Sequence, residues 1–132
     1  MGSGIETFVI HLARATGRRA QVDRLMKSTP YPSLILSAVD GALVPEAQRA
    51  DNISETQLFA PRYPFALGAG EYGCFQSHRV AWQKIVDKGL DAALILEDDV
   101  ALTDGFDAAL TLASDHVEAF GYIQFQVRSI DE

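Results

Sequence analysis

The segment Leu94-Ile-Leu-Glu-Asp-Asp-Val100 runs an apolar, strand-forming stretch straight into three consecutive carboxylates. Adjacent carboxylates repel, and burying them without partners is expensive. They belong either at a solvated turn or around a cation. On an extended backbone Glu97 and Asp99 point to one side and Asp98 to the other. An acidic-x-acidic pair on one side can grip a hard divalent cation, Mg2+ or Mn2+. Such ions prefer carboxylate and phosphate oxygen and need only one or two protein carboxylates when a substrate brings phosphate. A solvated acidic turn is the plainer alternative.

Other groups fall where they could join such chemistry. Arg18 and Arg19 follow one strand-like run and open a helix, where they could face a diphosphate beside the helix amides, or simply face solvent. His11 and Arg14 follow the same run. Asp40, beside Gly41, could accept from a ribose hydroxyl or a base edge; a routine Asp-Gly turn is the alternative. His78 shares a helix face with Cys74 and Trp82, and a lone histidine there is more often a satisfied core group than a catalytic base. Cys74 and His78 at i,i+4 suggest zinc. A closed zinc site needs more ligands, however, and His11 and His116 sit on other elements, so zinc is set aside. Nothing marks a base that would activate Cys74 as a nucleophile.

These groups need a scaffold, and the chain can build one. Its 132 residues, 48% apolar and 22% charged, describe one ordinary globular domain with a proper core. The single cysteine excludes an internal disulfide and suits a reducing, cytoplasmic setting. No apolar run reaches the ~18 residues of a membrane span, and no signal-peptide pattern is present, so any membrane association is expected to be peripheral. The opening Met-Gly-Ser-Gly carries no argument. The net charge of −7 is uneven. Residues 1–90 hold 10 Lys+Arg against 8 Asp+Glu, a balance of +2, and residues 91–132 hold 1 against 10, a balance of −9. The acidic end argues against nucleic acid or an anionic membrane as partner. A mildly basic first part joined to a carboxylate-rich second part suits a ligand carrying phosphates and a divalent cation.

Periodicity sets the elements. Thr7–Leu12 reads as a first buried strand, and Thr16 as the N-cap of an amphipathic helix carrying Val22, Leu25 and Met26, ended by Pro30 and Pro32. Ser33–Val39 is the second strand, giving a βαβ unit with parallel strands. Residues 42–69 are irregular, with a short helix inside Glu46–Phe59; a connection this long is often a binding loop. Gly70–Lys88 is the longest helix, stopped by Gly89. Ala92–Leu96 is the third strand, a helix follows over Phe106–Ala119, and Tyr122–Val127 makes a fourth strand. The order implies an α/β fold with a mostly parallel sheet, and ligands of such sheets gather at the strands' carboxyl ends.

Four segments, FVIHLARATGRR (8–19), SAVDG (37–41), GEYGCFQSHRVAWQKIVDKG (70–89) and ALILEDDV (93–100), resemble family 25 glycosyltransferases in order and spacing. That group contains bacterial lipopolysaccharide sugar transferases and collagen-modifying enzymes. The resemblance implies a Rossmann-like glycosyltransferase A-type fold that binds a UDP-sugar and transfers the sugar, with galactose expected, to a hydroxyl of a saccharide or lipopolysaccharide acceptor. It implies that Glu97 and Asp99 hold Mn2+ or Mg2+ against the diphosphate, that Asp40 meets the nucleoside, and that Arg18, Arg19, Ser77, His78 and Asp98 lie around the donor, with His78 the candidate catalytic residue.

Family members usually continue beyond the segment matched by YIQFQVRSIDE, so the chain reads as shortened, with the acceptor half missing. No base for the acceptor hydroxyl can be assigned within these residues. The alternative from a different class is a non-catalytic nucleotide-sugar-binding or interaction module descended from such an enzyme. An exposed core face left by a short end would predict a homodimer. A signalling receiver domain has similar length and acidity, but its paired acidic residues close the first strand; here the pair arrives at residue 98, too late for the units that must follow.

Overall fold

The computed structural model describes residues 4–61 and 64–125. By internal contacts the chain divides into two compact units, 1–100 and 101–132.

In the first unit, three β-branched and aliphatic runs form a parallel sheet of β1 (Ile5–His11), β2 (Ser33–Ser37) and β3 (Ala92–Glu97), in the order β2-β1-β3. β1 is central: Val9 lies opposite Ile35 on one side and Leu96 on the other. Buried on both faces, β1 reads as a continuous run with Thr7, Phe8 and Val9 fully inaccessible. Alternation sends Phe8 to one face, where Leu36 and Ala81 complete a cluster with Leu34, Ile85, Leu90 and Ile95 packed around it. Ala81 and Ile85 belong to α3 (Ala69–Lys88), which therefore covers that face. Val22 and Leu25 are the buried residues of α1 (Arg19–Ser28), which packs against β1.

The ends of these elements follow local chemistry. α3 stops at Gly89 in the left-handed conformation, φ 62°, which glycine adopts without a Cβ penalty. At its start the Gly68 amide donates to Glu71 Oε2 at 3.2 Å. A short helix, α2 (Glu46–Asp51), occupies part of the long connection after Pro45. Two expectations are corrected. Thr16 caps no α-helix: residues Thr16–Arg18 form a 3-10 turn, and α1 begins after Arg18 without a side-chain cap. The second strand ends at Ser37 rather than Val39, because Asp40 turns the chain, its side chain accepting from the Ala42 amide at the head of another 3-10 turn.

The second unit carries α4 (Phe106–Phe120), and the ring of Phe106 at its start lies 6.2 Å from that of Phe125, beyond its end. Of the expected fourth strand, residues 122–125 take no strand conformation, and 126 and 127 lie outside the described residues. Among the described residues no helix is long and apolar enough to cross a membrane.

Candidate functional site

The chain leaves β1 for β2 at one edge, then returns past β1 to reach β3 at the other. This places a topological switch point at the carboxyl ends of β1 and β3, where open α/β sheets bind ligands. A cleft of about 350 Å³ opens there. Its lining includes Arg14, Arg18, Asp40, His78, Glu97 and Asp99, with the backbone of Gly41, Gly70 and Gly73 as one wall.

The acidic triplet divides by role. β3 ends at Glu97, and Asp98-Asp99 form a turn closed by the Val100 amide donating to the Glu97 carbonyl at 3.3 Å. Asp98 is buried, 6% exposed, and is fully engaged. Its Oδ2 lies 2.9 Å from His11 Nδ1 and accepts from the Leu12 amide at 3.2 Å, and its Oδ1 accepts from Arg18 at 3.0 Å. Burial pushes this carboxyl up, but the His11, Leu12 and Arg18 hydrogen bonds together outweigh it and hold it below the ordinary carboxylate range. Asp98 thus ties the end of β1 to the end of β3. Asp99 is exposed in the cleft, and among the described residues no group hydrogen-bonds its carboxylate.

Glu97 meets α3. Its Oε1 accepts from Cys74 Sγ at 3.1 Å and lies 3.2 Å from His78 Nε2. Partial desolvation, with the Glu97 carboxylate next, pushes the Cys74 thiol up to about 11, so it stays protonated at neutral pH. The His78 ring is flanked by Trp82, centroids 6.3 Å apart, one turn along the same face.

Asp40 also lines the cleft. Arg14 clamps it with two bonds, 2.6 Å from Nε to Oδ2 and 3.3 Å from the guanidinium to Oδ1. That hydrogen bond holds the Asp40 carboxyl below its ordinary value, so Asp40 is ionised throughout the physiological range. Ser77 lines the cleft but is 3% exposed: its hydroxyl donates to the Gly73 carbonyl at 2.6 Å and accepts from the Val39 amide at 2.8 Å, pinning α3 to the chain beyond β2. Arg18 reaches the cleft. Arg19 does not line it and instead pairs with Asp23 one turn along α1 at 3.1 Å.

Three features went unread in the sequence. Arg14 reads in the sequence only as a neighbour of His11, and nothing local signals its pairing with Asp40, 26 residues away. His11 has its partner 87 residues on. Gly41 and Gly73 meet backbone to backbone: a Cβ on Gly41 would stand 1.7 Å from the Ala69 carbonyl oxygen, and one on Gly73 2.6 Å from the Val39 oxygen. A signal for this contact existed, since glycine inside a helix costs about 1 kcal/mol and usually marks a close approach.

Comparison with known proteins agrees with this architecture. A model of glycosyltransferase family 25 (LPS biosynthesis protein) matches residues 5–131. Human procollagen galactosyltransferase 2 is 33% identical over 117 residues, covering 86% of this chain and 18% of the relative. The human inactive glycosyltransferase 25 family member 3 is 32% identical over 117 residues, covering 86% and 20%. Lacto-N-neotetraose biosynthesis glycosyltransferase LgtE of Neisseria gonorrhoeae is 31% identical over 106 residues, covering 80% and 36%. The chain therefore spans about a fifth to a third of the length of these relatives. With the parallel Rossmann-like sheet and the acidic turn at its switch point, these matches establish that the chain belongs to glycosyltransferase family 25.

Proposed function

We propose that the chain binds a UDP-sugar, with galactose the expected sugar, for metal-dependent transfer to a saccharide hydroxyl in lipopolysaccharide or surface-polysaccharide synthesis. One observation supports this above the others. The carboxyl ends of all three strands deliver Arg14 and Arg18, Asp40, Glu97 and Asp99 to a single cleft large enough for a nucleotide.

The donor set fits a hard divalent cation. Among the described residues no group hydrogen-bonds the Asp99 carboxylate, and Glu97 is engaged toward α3 through Oε1 alone. Glu97 and Asp99 would hold Mn2+ or Mg2+, which when bound neutralises charge on the departing nucleoside diphosphate. Arg18 offers the diphosphate a second positive charge from a fixed position, since Asp98 orients its guanidinium. Asp40, kept ionised by Arg14, is an acceptor for a ribose hydroxyl. Asp98, also at the cleft, orients Arg18 and ties it to the end of β1.

Full turnover tests the reading: incubation with UDP-galactose, Mn2+ and a saccharide acceptor should release UDP, and release should stop on chelation of the metal. Equal UDP release by heat-denatured protein would contradict it. The two arginines give a second test. Arg18→Ala should weaken UDP about tenfold or more, the loss of one hydrogen bond to a charged group. Arg19→Ala should leave the affinity within a factor of two. Equal effects in calorimetry would show that proximity to the cleft does not govern binding.

A specific observation also favours the non-catalytic module. Identity to the inactive family member 3, 32%, is almost the same as identity to procollagen galactosyltransferase 2, 33%. UDP binding without UDP release, under acceptors that support a known relative, would select that reading.

A further inference from the structure

We propose that Cys74, His78 and Glu97 form a site for a thiophilic divalent cation of the Zn2+ kind, one that shares Glu97 with the hard-cation pair Glu97–Asp99. The spacing of Cys74 and His78 supplies two ligands from adjacent turns of α3, and the fold supplies the third from the end of β3. Their donor atoms, Sγ, a ring nitrogen and a carboxylate oxygen, all lie within 4.8 Å of one another, with Oε1 3.1 Å from Sγ and 3.2 Å from Nε2. A tetrahedral ion with bonds of ~2.0–2.3 Å sets its ligand atoms about 3.3–3.8 Å apart, so small side-chain adjustments suffice. Three protein ligands leave a fourth position for water or substrate, the arrangement of open rather than closed zinc sites. Two packed elements hold the ligands: Ser77 pins α3 between Cys74 and His78, and Trp82 flanks the imidazole.

The chemistry separates this site from its neighbour. Sulfur and imidazole favour Zn2+ or Co2+ over Mg2+ and Mn2+, whereas Asp99 with phosphate oxygens favours the reverse. On coordination the Cys74 S–H bond breaks, the sulfur lone pair forms the metal bond, and the proton leaves to water. Because Glu97 is common to both, Zn2+ on its Oε1 leaves the hard cation only the other oxygen of that carboxylate.

The test is optical titration of the full chain with Co2+ alone, which reports thiolate ligation through a near-ultraviolet charge-transfer band. Cys74 is the only cysteine, so such a band has no other source within one chain. The expected result is a band saturating at one Co2+ per chain, bleached by equimolar Zn2+, absent in Cys74→Ser, and requiring at least tenfold more Co2+ in His78→Ala. Far-UV circular dichroism reports whether each variant is folded, and the wild-type spectrum is decisive without them. No thiolate band at excess Co2+ would overturn the proposal. So would saturation at one ion per two chains with dimerisation, which would mean that cysteines of two copies share the metal. UDP binding with Mn2+ is measured separately, and its failure or success leaves the Co2+ result unaffected.

Discussion

Gly41→Ala should destabilise the first unit by about 3 kcal/mol or more, at or beyond the upper end of ordinary overpacking. The new methyl carbon would lie 1.7 Å from the Ala69 carbonyl oxygen and 2.7 Å from its carbon, both backbone atoms that no rotamer change can move aside. Relief requires shifting the start of α3 away from the Asp40 turn. That helix start carries Gly70, Gly73 and Cys74, one wall of the cleft, so ligand binding should fall with stability. Gly73→Ala attacks the same contact from the other side, 2.8 Å from the Gly41 nitrogen. Once one variant has opened the gap the second has less to disrupt, and the double variant should be less destabilised than the sum. With m-values of ~1–3 kcal/mol/M, the single change moves a urea midpoint by about 1–3 M. A Gly41→Ala protein within about 0.5 kcal/mol of wild type would show that the helix start is not held at this contact.

The second large effect belongs to Asp98. Asp98→Ala removes a buried carboxylate that satisfies His11, the Leu12 amide and Arg18 at once. Stripping one partner from a buried charged cluster costs ~3–5 kcal/mol. Arg18 is half exposed and partly rescued by water, which brings the expectation to about 2–4 kcal/mol. The sign with pH follows from the lowered carboxyl. Asp98 binds its proton less readily folded than unfolded, so its stabilisation is fully present above the ordinary value of 3.8 and is lost as pH falls through the lower folded-state value. The gap between wild type and Asp98→Asn should therefore be widest near neutrality and close below about pH 4. The adjacent Asp99→Asn, exposed and without a hydrogen-bond partner among the described residues, should change stability by no more than about 0.5 kcal/mol. Denaturant titrations of both at pH 7 and pH 3 check the contrast; equal destabilisation would remove the division of the triplet into an anchor and an open carboxylate.

Much of the fold was legible because its elements carry strong local patterns. The strands read at Thr7–Leu12 and Ala92–Leu96 lie inside observed strands or within a residue of them, that read at Ser33–Val39 overruns β2 by two residues, and Gly89 marks the end of α3 through a conformation only glycine takes easily. Patterns failed where tertiary contacts decide. Thr16 has the chemistry of an N-cap, yet the turn before α1 tightens into a 3-10 helix and Arg18 turns back toward Asp98. Of the strand read at Tyr122–Val127, the described residues 122–125 take no strand conformation. Within the site, Asp98 is buried and fully engaged, whereas Glu97 is half-buried and Asp99 exposed. The partners of Asp98 could not be read, since they lie 80 or more residues away. Cys74 and His78 read as short of further ligands because the carboxylate beside them arrives from a different element.

The most direct test of the donor site is calorimetric titration with UDP, with and without Mn2+, on wild type and on Asp99→Ala. Mn2+ should tighten UDP binding to the wild-type chain by at least tenfold, and Asp99→Ala, folded as judged by its unfolding midpoint, should lose that gain. Equal UDP affinity in all four titrations would contradict a metal-assisted diphosphate site at the end of β3.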